Sequence, residues 1–409
     1  MENLLRKYAK TAIKVGVNLQ PKQFLVINST VEAIDFTRLV VEEAYKAGAQ
    51  EVYVNYSDPY LTKLDYQYAD IDCLCEIPEW VVNRKAYQIE RQCALISISS
   101  PNPTLLKNID GSVIQKVQKA MSKAMAPYRY YTASSIGQWL GLCVPNITWA
   151  KLVFPNLSDE EALSKLWTTI FEVCRINEHN DPIQLWHEHI QEKVKYRQKL
   201  TDYAFEKLIF KNKLGTDLEV GLVSNHQWSG AEEKTPNGIG FTPNIPTEEI
   251  FCMPHKYRVN GKVVATKPLN IRGKLCEDFY FVFKEGKVVK YDAKVNKEVL
   301  TDLLESDEGA KYLGEVALIS NDSPISKMNI VFYNTLFDEN ASCHLAIGKG
   351  FSECIQGGLT MTKEQLLEKG VNDSLTHVDF MIGTSDLKIV GETKDGQVVR
   401  IFENGNFVF

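Results

Sequence analysis

The stretch QFLVINSTVEAIDFTRLVVEEAYKAGAQEVYVNYS, residues 23–57, decides how the first half of the chain folds. QFLVINS is a short apolar run that gives way to polar residues, the pattern of a buried strand. AIDFTRLVVEEAYKAG then spaces its apolar residues at helical intervals and stops at Gly48, a residue suited to the left-handed turn that closes a helix. EVYVNYS is the next strand. A strand, a helix and a strand in so short a span form the unit that lays two parallel strands side by side.

The same alternation extends in both directions. LLRKYAKTAIKVGV reads as a helix before it, and CALISISS and IQKVQKAMSKAMAPY as a strand and a helix after it. SDEEALSKLWTTIFEVCRI opens on Ser158 as N-cap with Glu161 three residues on, a capping box. Residues 1–182 are therefore expected to form an α/β domain with a mostly parallel sheet. No GxGxxG, GKS or GKT follows a strand, so the usual loops that cradle a nucleotide phosphate are missing.

NEHNDP, 177–182, breaks the pattern, and the long helix IQLWHEHIQEKVKYRQKLTDYAF follows. Beyond it the chain alternates in strand fashion through KLIFKN, DLEVGLV, FYFVFKEGKVVKYDA and KIVGETKDGQVVRIFENGNFVF. Glu-Gly and Asp-Gly pairs mark hairpin turns between these strands. NKEVLTDLLESDE and ENASCHLAIGKGF are expected as helices. Residues 183–409 read as an α+β domain rich in antiparallel strands.

Composition narrows the function. The chain has 409 residues, 44% hydrophobic and 24% charged, and a net charge of -6. No basic stripe invites nucleic acid. No apolar run approaches the ~20 residues of a membrane span, and the N-terminus lacks the apolar core of a signal peptide. Nine cysteines, with no CxxC pair, suit a reduced cytoplasmic protein without a thiolate zinc site.

Two imidazoles and several carboxylates stand out against this background. In LTHVDFMIG, His377 and Asp379 are two apart and share one face of a strand. They read either as a buried histidine held by a hydrogen-bonded aspartate or as half of a metal site. His344, in the expected helix of LFDENASCHLAIGKGF, would share a face with Gly348 and Phe351, just after Glu339. Glu315 sits in the apolar strand YLGEVALIS, where an unpaired charge is expensive. NIPTEEIF adds one of Glu248 and Glu249, since neighbours in an extended run face opposite ways. Such a set of imidazoles and carboxylates matches a binuclear site for divalent metals, which sit about 3.5–4 Å apart when a carboxylate bridges them. His179, His187 and His189 are expected in solvent, His255 in a turn, and His226 in a polar loop, SNHQWSG.

NIPTEEIF, YLGEVALIS, FYNTLFDENASCHLAIG and LTHVDFMIG, in this order, closely resemble the aminopeptidase T, aminopeptidase S and PepS family of metalloaminopeptidases. KYAKTAIKVGVNLQPKQFLVI, VEEAYKAGAQEVYV and KPLNIRG extend the resemblance over nearly the whole chain. It implies metal ligands at Glu249, Glu315, Glu339, His344, His377 and Asp379, and selects Glu249 over Glu248. It implies two divalent ions (zinc, cobalt or manganese), a peptide substrate with a free N-terminus, and a homodimer whose active sites face an internal cavity. One position departs from the family. The pattern resembles HxxxGxxY, and here Phe351 stands where the tyrosine would be.

The reaction expected from this resemblance is hydrolysis of the N-terminal peptide bond. Glu315 and Glu339 are the candidate general bases, with Glu248 a weaker one. Two other readings compete with it. One is a family member that has lost activity and serves as a binding or scaffold protein. The other is a metal-dependent amidohydrolase with a non-peptide substrate.

Overall fold

A computed structural model of the chain describes residues 1–271 and 274–409. Arg272 and Gly273, the end of the KPLNIRG motif, lie outside the described residues. Two compact units emerge, Met1–His189 with Glu232–Pro246, and Ile190–Ala231 with Thr247–Phe409.

In the first unit, strands β1 (Phe24–Thr30), β2 (Glu51–Ser57), β3 (Ala94–Ser99) and β4 (Trp139–Cys143) form a sheet in the order β2-β1-β3-β4, with every neighbouring pair parallel. Phe24, Leu25, Val26 and Ile27 are buried in succession, as both faces of such a strand must be. The helix Ile34–Lys46 links β1 to β2 and is followed by Gly48 at φ 94°. The capping box also forms. Ser158 Oγ accepts from the Glu161 amide at 3.3 Å, and Glu161 Oε2 accepts from the Ser158 amide at 3.0 Å. His189 departs from expectation. It is buried edge-on against the Trp186 ring, with Nδ1 3.1 Å from Arg175 Nη2.

The second unit holds two antiparallel sheets. The larger has nine strands, and its hairpins close where the sequence marks them. Glu285 and Gly286, at φ 50° and 82°, join Lys274–Lys284 to Lys287–Val295, the two positive values of a type I′ turn. His255 lies inside the strand Pro254–Val264 rather than in a turn. The smaller sheet contains β5 (Ser229–Gly230), β6 (Ile250–Cys252), β7 (Leu313–Leu318), β8 (His344–Gly348) and β9 (His377–Met381), in the order β9-β8-β7-β6-β5.

The expected helix around His344 is therefore a strand. Residues 344–348 pair on both sides, Ala317 with His344 and His344 with Met381. The helical spacing of His344, Gly348 and Phe351 is incidental. A run of only five residues that gains a partner strand on each edge is better satisfied extended, whatever its local preference. Helical structure ends just before it, at the turn Glu339–Ala341.

Alternation divides this sheet into two faces. Ile250, Val316, Leu318, Leu345, Ile347 and Phe380 turn into a core shared with Phe279 and Phe281 of the larger sheet. Glu315, Ala317, His344, Ala346, His377 and Asp379 turn the other way. Gly314 makes this possible on β7. A bulge there lets Leu313 and Glu315 keep opposite roles, and a Cβ on Gly314 would stand 2.2 Å from the Lys349 carbonyl.

Candidate metal centre

The register of three strands brings the site together. Glu315 on β7 pairs with Ala346 on β8, and Ala346 pairs with Asp379 on β9. His377 pairs with Gly348, and His344 with Met381. The residues between the ligand-type side chains, Ala317, Ala346 and Gly348, are all small and leave room above the sheet. Glu249, immediately before β6, completes the set with its Oε2 3.4 Å from His344 Nε2.

Glu315 is the centre of this arrangement. Its Oε1 lies 3.9 Å from His344 Nε2, and its Oε2 lies 3.0 Å from His377 Nε2. Two groups therefore offer converging ligand atoms, Glu249–Glu315–His344 and Glu315–His377–Asp379, with Glu315 in both. Neither Glu339 nor Glu248 belongs to these triads. Glu339 is nonetheless close enough that burial, then Glu249, Asp379 and Glu315, push its carboxyl well above the usual range. Glu248 is buried at the start of the strand, where its amide donates to Asn340 Oδ1 at 2.7 Å.

The donor chemistry fits divalent cations. His344 Nδ1 lies 3.1 Å from the Ser342 carbonyl, and His377 Nδ1 lies 2.7 Å from the Lys349 carbonyl. A carbonyl only accepts, so each Nδ1 carries the proton and each Nε2 turns its lone pair toward carboxylates. Lone pairs facing lone pairs need a cation between them, whether proton or metal. Asp379 Oδ1 is buried, 3.3 Å from His377 Nε2, and accepts no hydrogen bond of acceptable geometry. Burial alone would lower the His377 imidazole, yet Asp379 and Glu315 hold it up at about 11. Burial raises Glu249 to about 7, against the pull of His344. These opposed shifts are those of a site with more anionic than cationic groups.

Phe351 reaches the same place by a different route from the expected helix. The chain turns at Gly348, φ 113°, and Phe351 sets its ring 4.7 Å from the His377 ring and 5.5 Å from Phe251. Asn372 fixes this turn, its Nδ2 donating to the carbonyls of Gly348 and Gly309. Sequence reading missed Asn372, and it missed the Ser342 and Lys349 carbonyls, because backbone acceptors leave no signature in residue type. His226 is not part of the centre. It is buried, with Nδ1 donating to the Val223 carbonyl at 3.0 Å, and its Nε2 has no hydrogen-bond partner among the described residues.

Comparison with known proteins places these features in company. The thermophilic metalloprotease (M29) family pattern matches residues 1–407. Aminopeptidase AmpS of Bacillus subtilis is 44% identical over 405 residues, covering 99% of this chain and 98% of its own. Aminopeptidase 2 of Geobacillus stearothermophilus is 43% identical over 408 residues, covering 100% and 98%. The solved structure of wild-type AmpT from Thermus thermophilus superposes with a TM-score of 0.93 at 36% identity, covering all of both chains. No helix among the described residues is long and apolar enough to cross a membrane.

Proposed function

The chain belongs to the thermophilic metalloprotease (M29) family and is a metalloaminopeptidase; from that premise we propose that it works through a binuclear centre held by Glu249, Glu315, His344, His377 and Asp379, with Glu339 alongside. The observation that carries this reading is the sharing of Glu315 by two ligand triads on one face of one sheet. Glu315 turns one oxygen toward each triad, so it would contribute to holding both ions. Zinc, cobalt and manganese all suit a set of imidazoles and carboxylates.

Bound ions of this kind polarise a carbonyl and make a coordinated water acidic near neutrality. The residues of the chain do the rest. His344 and His377, each fixed through Nδ1 by a backbone carbonyl, hold their Nε2 atoms in place. Glu339 lies outside both triads, and once bound cations offset the neighbouring carboxylates that hold its proton on, its carboxylate would take a proton from the attacking water and return it to the leaving amine. A free α-amine on the substrate would be bound by a metal or by a carboxylate of the site, which would account for removal of residues from the N-terminus.

We further assign the catalytic apparatus to the domain read as 183–409, where every candidate ligand lies in the unit Ile190–Ala231 with Thr247–Phe409, and take 1–182 as the bulk of a separate α/β domain. We place the enzyme in the cytoplasm as a homodimer. Nine cysteines, with no disulfide among the described residues, support the reducing compartment, and the family resemblance supports the dimer.

The decisive experiment pairs elemental analysis with activity on leucyl-p-nitroanilide and its N-acetylated form. Two equivalents of metal and cleavage of the free amine only are expected. One equivalent at full activity would remove the binuclear reading. Cleavage of the blocked substrate would point to an amidohydrolase instead.

A further inference from the structure

In the first unit, the chain runs from β1 outward to β2 on one side and returns to β3 on the other, which makes the gap between β1 and β3 a topological switch point. Open α/β sheets take ligands in the crevice outside the carboxyl ends of the strands at such a point. What lines that crevice follows from alternation and register. The amino half of one sheet face is apolar and covered, with Phe24, Val26 and Leu95 packed on Tyr131 and Tyr128. The carboxyl half of the same face carries Asn28 and Thr30 on β1, Asn55 and Ser57 on β2, and Ser97 and Ser99 on β3. Ser97 and Ser99 are exposed although β3 is an interior strand. Parallel sheets are ordinarily covered on both faces, so this half has been left open.

One cation, Lys85, stands over it, with Arg84 next to it in sequence and set against the Trp80 ring. The helix Glu79–Glu90 supplies Arg84 and Lys85. Lys85 Nζ lies 3.5 Å from Asn28 Oδ1 and 4.5 Å from the centre of the Tyr128 ring. Among the described residues no carboxylate pairs with either cation, in a chain whose net charge is -6. Thr30 Oγ1 is buried here with no hydrogen-bond partner among the described residues, as is Nε of the neighbouring Arg84. Buried polar groups without partners are rare and call for an acceptor. Burial, with Arg84 beside it, lowers the Lys85 ammonium, the sign expected of a cation with nothing to balance it.

We propose that this crevice is a second binding site, for a small oxyanion, a phosphate or a carboxylate group, held by Lys85, Asn28, Thr30 and Tyr128. It does with side chains what a glycine-rich loop does with backbone amides. The anion accepts from the orphaned donors and pairs with the ammonium. The open serines of β3 leave space for the rest of the ligand.

The test is isothermal titration of the full-length protein with inorganic phosphate and with succinate at constant ionic strength. Anions also bind metal ions, so the component that counts is the one sensitive to the crevice. Saturable binding is expected, weakened about tenfold or more in Lys85→Met, as for loss of a charge-assisted contact, and retained in Lys85→Arg. Ser97→Asp, on an exposed position that cannot disturb packing, places a carboxylate in the crevice and should weaken binding equally. It decides the matter should Lys85→Met fail to fold. Preference for phosphate identifies a phosphorylated ligand, and preference for succinate a carboxylate. Absence of saturable binding to either anion, or equal affinity in wild type and Ser97→Asp, overturns the proposal.

Discussion

The ring of Phe351 lies against the imidazole of His377, centre to centre 4.7 Å and tilted by 47°. The position where the family resemblance implies a tyrosine therefore lies beside His377, and it offers an aromatic ring and no hydroxyl. A hydroxyl here would donate to the oxyanion that forms as the peptide carbonyl is attacked, and one such donor is worth roughly 10²–10³ in rate. Phe351→Tyr is expected to raise kcat by about tenfold or more at equal metal content. An unchanged kcat in a wild type that is already fast would mean that the position takes no part in catalysis. No turnover in either form, with both ions bound, would favour the scaffold reading.

Ligand removal should separate the two halves of the site. His344→Ala and His377→Ala are each expected to lower metal occupancy and activity while near-ultraviolet circular dichroism shows the fold retained. Glu249→Ala should cost far more activity than Glu248→Ala, because only Glu249 contributes to a triad. Equal losses at the two positions would show that the wrong glutamate has been assigned.

Stripping the ions should also weaken the fold. Glu249, Glu315, Glu339 and Asp379 crowd one face, and without a cation their mutual repulsion opposes folding. A chelator is expected to lower the thermal midpoint and abolish activity, and zinc, cobalt or manganese to restore both. A fully active protein that elemental analysis shows to be metal-free would contradict the assignment.

His226 predicts an acid limb of stability that is separate from catalysis. Burial lowers its imidazole, with only the Val223 carbonyl in opposition. The unfolded chain then takes up the proton first, at about pH 6.5, so stability falls as pH drops below that value and levels off only below the folded value. His226→Gln should flatten this part of a plot of thermal midpoint against pH. An identical slope in wild type and variant would remove His226 as the cause.

Much of this was legible in residue order. The strand–helix–strand spacing of 23–57, the capping box at Ser158 and the turn at Glu285-Gly286 are local chemistry, and local chemistry is written in the sequence. The pairing of His377 with Asp379 is likewise the period of a strand. The element that carries His344 is not legible in this way, because it is decided by neighbours distant in sequence. HLAIG has helical spacing by chance, and only β7 and β9 make it extended. His189 was misjudged for a related reason. Its burial comes from Trp186 and Arg175, and the charged composition of its helix conceals that contact.

The alternation of β9 has one more consequence. His377 and Asp379 share a strand with Phe380, which packs beside Phe279 and Phe281 on the opposite face. A slip of one residue in pairing β9 would send both ligands into the hydrocarbon interior and push the phenylalanine out. The same register that buries Phe380 is therefore the one that would present both side chains to an ion, so metal binding would stabilise the correctly paired strand over a slipped one.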